Sequence, residues 1–154
     1  MSSLKAFQVA AELAERQRDA ARQTLKDVQS ALQAAQAQLE QLAGYAGETQ
    51  GRWGMRAGAE VQPEVMYHHY QFMGRLQHAI SLQTGAVSAQ DARVEQARQA
   101  LLAAELRLAS LRKVLERRRA ELALQQQRRE QKQTDERAAL RAARAQGGAL
   151  DQEH

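Results

Sequence analysis

The sequence predicts an all-α chain, a long antiparallel two-helix coiled-coil hairpin with an overhanging C-terminal helix. Composition points there first: Ala, Gln, Glu, Leu and Arg dominate, and aromatics make up only 4% of the 154 residues, which suits long helices rather than mixed layers. Periodicity points the same way, because apolar residues recur every three and four positions over two extended stretches. That 3.5-residue spacing marks a coiled-coil seam, not the broader stripe of a globular helix. The helix breakers are also concentrated. Pro63 is the only proline, and seven of the nine glycines lie between Gly44 and Gly58 or at Gly147 and Gly148.

A chain of this length has room for one domain, and we read residues 1–154 as a single coiled-coil domain. The first helix is expected over about 4–46, with Ser3 as its N-cap. Its seam steps through Leu4, Phe7, Ala11, Ala14, Arg18, Ala21, Leu25, Val28, Leu32, Ala35, Leu39, Leu42 and Ala46, and only Arg18 departs from the pattern. The glycine-rich stretch of about 47–62 is expected to form the hairpin tip. Pro63 suits the first turn of a second helix, where its missing N–H costs little.

That second helix is expected over about 63–146, followed by a frayed tail over 147–154. Its seam runs Met73, Leu76, Ile80, Gln83, Val87, Gln90, Val94, Ala97, Leu101, Ala104, Leu108, Leu111, Leu115, Arg118 and Leu122. A short connection between long helices favours antiparallel neighbours. With Ala46 set opposite Met66, Leu4 falls opposite Leu108, and everything beyond about residue 110 overhangs. Residues 112–144 carry eleven Lys/Arg against five Asp/Glu. A lone helix of this kind is marginal in water, so it frays or is held by a partner.

Catalytic signatures are missing, and no enzyme activity is expected. The tip glycines lack the strand, Lys and Ser/Thr that a phosphate-cradling loop requires. His68 and His69 are adjacent, so on a helix they point about 100° apart and cannot share a metal. Glu64 and His68 at i, i+4 read as a surface pair. No metal or cofactor is expected. With no Cys, disulfides and thiolate metal sites are excluded. Neither a signal-like apolar core at the N-terminus nor a run of 18 apolar residues is present, so the expected setting is cytoplasmic. The basic overhang could grip nucleic-acid phosphates, but its charges are mixed with Glu116, Glu121, Glu130, Asp135 and Glu136, and no aromatics are interleaved for base stacking. No nucleic acid partner is expected; a solvated charged face or a protein-docking surface remains.

Five of the six aromatics, Tyr45, Trp53, Tyr67, Tyr70 and Phe72, lie in or beside the tip. With a at Leu39 and Met73, Tyr45 and Gln38 fall at g on the first helix, and Phe72 and Ala79 at g on the second. In an antiparallel pair these positions flank the same edge of the seam, so they converge beside Leu42 and Leu76. Such a cluster either staples the tip to the coil or serves as an exposed docking patch, where aromatics dominate binding energy.

These residues also carry a family likeness. Leu42-x-x-Tyr45 closes the first helix, a polar Gly-containing turn with Trp53 follows, and Tyr70-Gln71-Phe72, Leu76 and Ala79-Ile80 open a long Gln/Arg-rich helix. In this the chain resembles the flagellar type III export protein FliJ, most specifically over residues 38–83.

The resemblance implies a non-catalytic stalk at the cytoplasmic face of the inner membrane. The end carrying both termini would enter the hexameric ring of the flagellar export ATPase, promoting ring assembly and ATP hydrolysis. The stalk would also contact the cytoplasmic domain of the export gate and bind export chaperones, touching the membrane only through those partners. Gln38, Leu42, Tyr45, Phe72, Leu76 and Ala79 match the family's gate patch. Thr49 and Gln83 stand where other members carry an aromatic or a His. Arg112, Lys113, Arg117, Arg118 and Arg119 are expected to meet acidic residues of the ring. A generic scaffold or tether, or the stalk of a related virulence secretion system, is the alternative.

Overall fold

The computed structural model describes residues 2–56 and 62–152. They form two long helices packed against each other, α1 (Ser2–Arg56) and α2 (Pro63–Gln152), with no strand among the described residues. The helix begins at Ser2, so Ser3 lies within its first turn and is not its N-cap. Residues 57–61, the centre of the expected tip, lie outside the described residues, as do 153 and 154 at the end of the expected tail.

The seam emerges as the heptads require. Every one of the thirteen stepped positions from Leu4 to Ala46 is at least half-buried, whereas nearly all of the intervening residues are exposed. On α2 the same holds from Met73 to Leu115, and the stepped positions beyond it, Arg118 and Leu122, are exposed. A two-helix coil has no third layer to cover it, so even the best-covered seam residues, Ala14, Val94 and Leu108, stay 2–3% exposed.

Two compact units are distinguished, Glu15–Leu106 and a second that joins Met1–Ala14 to Arg107–His154. Within Glu15–Leu106 the helices run antiparallel. As α1 is followed back from Trp53 through Tyr45 to Ala35, its partners on α2 advance from His69 through Phe72 to Gln83. The charged seam position Arg18 is accommodated in this unit by its own helix. Its Nε donates to Asp19 Oδ1 at 2.9 Å, and its Nη2 lies 3.7 Å from Glu15 Oε1.

In two respects the helices run further than the sequence implies. First, α1 continues ten residues past Ala46, through Gly47, Gly51 and Gly54. Each helical glycine costs about 0.5–1 kcal/mol relative to Ala, a penalty that continued seam packing can offset. Ala46 is buried, Thr49 is half-buried, and Trp53 stacks on His69. Second, α2 passes through Gly147 and Gly148 to Gln152. The longer α1 displaces the register by nearly two turns. The partner beside Ala46 is not Met66 but the turn of Phe72, whose ring meets that of Tyr45.

In the unit containing both chain ends the partner likewise lies further along α2 than expected. There Phe7 meets Arg118, and Leu115 is still buried. The paired coil therefore outlasts the expected end near residue 110. From Glu116 to Ala149, α2 is exposed throughout.

Candidate functional site

The g-edge residues converge as the heptad assignment requires. The Tyr45 and Phe72 rings meet edge-to-face across the two helices, with centroids 6.0 Å apart and planes at 84°. That geometry sets the positive edge of one ring against the negative face of the other. Both rings also remain exposed, Tyr45 at 52% and Phe72 at 37%. Leu76 is buried behind them, Leu42 and Ala79 are half-buried, and Gln38 is exposed. The pair thus joins the helices at the edge of the seam while presenting aromatic surface to solvent.

Beside Tyr45 lies an open groove of about 310 Å³, lined by Gln38, Gln41, Leu42, Tyr45 and Gln83. Its lining contains no charged side chain. Gln83 spans the seam: its Nε2 donates to Ala35 O at 2.9 Å and to Gln38 Oε1 at 3.2 Å. Gln38 is thereby held at the rim by a residue of the opposite helix. Thr49 Oγ1 donates to Tyr45 O at 2.8 Å, within its own helix.

One feature near the start of α2 escaped the sequence reading. Trp53 and His69 stack at 4.1 Å and 29°, closing the seam beyond Ala46. Continuing the three-four stepping past Ala46 reaches Thr49 and Trp53, and stepping back from Met73 reaches His69, so the signal was present. Reading the glycines as the helix end concealed it. Tyr67 and Tyr70 are 61% and 69% exposed, and Gln71 Nε2 donates to the Tyr67 hydroxyl at 2.8 Å. His68 packs edge-on against Tyr67, whereas His69 faces Trp53.

The basic residues expected at the ring, Arg112, Lys113, Arg117, Arg118 and Arg119, are all exposed on α2. Arg118 is engaged within the chain, its guanidinium carbon 5.6 Å from the Phe7 ring centroid. Among the described residues no helix is long and apolar enough to cross a membrane, and no three His, Asp or Glu side chains gather as a metal-binding group.

No curated protein and no solved structure matches the chain. The family described as "Flagellar FliJ protein" does match, over residues 3–147, which takes in both seams, the Tyr45–Phe72 edge and the basic segment. The likeness carried by Leu42-x-x-Tyr45 and Tyr70-Gln71-Phe72 is thus part of a match along nearly the whole chain, and the chain belongs to the FliJ family, with a role in flagellar protein export.

Proposed function

We propose that this chain is the non-catalytic coiled-coil stalk of the flagellar type III export apparatus. It promotes assembly and activity of the export ATPase ring, and it links that ring to the export gate and to export chaperones. It works on the cytoplasmic side of the membrane and holds no cofactor. The family match supports the export role. The observation that carries the docking role is the Tyr45–Phe72 pair, two aromatic rings left substantially exposed on one edge of the seam. Half-exposed aromatics next to an uncharged groove suit burial by a protein partner, where such residues dominate binding energy. In this reading Gln38, Leu42, Tyr45, Phe72, Leu76 and Ala79 meet the cytoplasmic domain of the gate, while the basic segment meets the ATPase.

The test is secretion of flagellar export substrates and swarming in a strain deleted for this chain. The wild-type chain should restore both. Phe72→Ala and Tyr45→Ala should weaken binding of the purified gate domain at least tenfold and reduce secretion, with helix content by circular dichroism within a few per cent of wild type. Wild-type gate binding by both variants would remove the docking role from this edge. A large loss of helicity would instead mark the pair as a staple of the coil.

A further inference from the structure

In the unit joining Met1–Ala14 to Arg107–His154, Leu115 is the last buried residue of α2 among the described residues. One contact reaches further. The guanidinium of Arg118 lies 5.6 Å from the centroid of the Phe7 ring, inside the roughly 6 Å at which an aromatic face attracts a cation. Both residues occupy seam positions of the heptad, where an apolar side chain would ordinarily sit. Phe7 is half-buried and Arg118 exposed, so the arginine can lay its stem along apolar surface and keep its charge at the edge of the solvent. This accounts for a pairing that continues one step past Leu115 although the seam there turns polar.

The position of this contact matters because of what surrounds it. Arg117 and Arg119 flank Arg118, and Lys113 lies one turn before Arg117. An unsupported helix is marginal in water, and side chains on a fraying turn keep no fixed arrangement. We propose that Phe7 is a positioning residue: by holding Arg118 it keeps residues 116–119 helical and so fixes Arg117 and Arg119 on α2, beside Lys113 of the paired coil, for an acidic partner surface. Arg118 then acts inside the chain rather than on the partner. The proposal rests on the reading that this basic segment contacts the export ATPase.

The test uses the full chain with Phe7→Leu, Phe7→Tyr, Arg118→Gln and the double variant Phe7→Leu/Arg118→Gln. Phe7→Leu keeps apolar burial and removes the aromatic face. Amide hydrogen exchange over residues 114–124 should rise about two- to fivefold in Phe7→Leu and in Arg118→Gln. The double variant should rise no further than either single one, because partners in one contact are not additive, and Phe7→Tyr should restore the wild-type rate. Stimulation of the organism's own export ATPase should fall and recover in the same order. Lys113→Gln/Arg117→Gln probes the basic contact itself. Absent or additive effects on exchange overturn the proposal whatever the ATPase does. Exchange as expected, with stimulation lost in Lys113→Gln/Arg117→Gln but intact in Phe7→Leu, overturns the positioning role. If stimulation is intact in both, the assignment of the basic segment to the ATPase falls, and the positioning role falls with it, although the Phe7–Arg118 contact stands on exchange alone.

Discussion

Gln83 and Gln90 occupy equivalent seam positions one heptad apart, yet their amides fare differently. Gln83 donates across the seam to Ala35 O and Gln38 Oε1, whereas the buried Oε1 of Gln90 has no hydrogen-bond partner. Leaving a buried polar atom unmatched costs about 1–3 kcal/mol. Gln90→Leu should therefore raise stability by about 1–2 kcal/mol, while Gln83→Leu gains less because it gives up existing bonds. Urea denaturation of the two variants checks the order; a destabilised Gln90→Leu would show that this amide is satisfied in solution. A polar seam position that lowers stability can still fix register, which suits a coil with as many small, interchangeable alanines as this one. At this scale the sequence was informative wherever periodicity alone decides. Each stepped position from Leu4 to Ala46 proved half-buried or better, and Tyr45 met Phe72 because g positions share an edge. It was uninformative about Arg118, since a charge at a seam position says nothing of an aromatic ring 111 residues away.

At the scale of the helices, what the sequence left uncertain was where each one stops. Glycine is a weak breaker, and Gly44, Gly47, Gly51 and Gly54 did not end α1 while Ala46, Thr49 and Trp53 continued its seam. Helix length then set the register, so an error in one became an error in the other. The end of pairing on α2 gives a direct check. Leu108 is 3% exposed and Leu122 is 41% exposed, although both are leucines at the same heptad position. Leu108→Ala should cost about 2–3 kcal/mol, toward the low end for buried leucine because the neighbouring coil is thin. Leu122→Ala should cost less than about 0.5 kcal/mol, as for a surface change. Thermal melts of the two variants measure both. Equal losses would mean that the seam continues past Arg118 to Leu122.

For the molecule as a whole, the family match gives the biological setting, and the two helices give a scaffold with a polar, exposed end and an aromatic edge. That function was legible at all came from a short stretch, residues 38–83, where aromatics and small residues recur at spacings that coiled-coil packing does not demand. The heptads alone would fit any tether. As a stalk the chain should contribute no catalytic group, only contacts that favour the assembled ring, and exposed charges on residues 112–119 make such contacts sensitive to salt. The first measurement is the ATPase rate and hexamer fraction of the organism's own flagellar export ATPase with and without this chain, beside a length-matched unrelated coiled coil. A stalk should raise both by several-fold over the control, with the gain falling as salt rises. A rate and a hexamer fraction no higher than those with the unrelated coil would contradict the stalk and leave a tether that serves the gate or the chaperones.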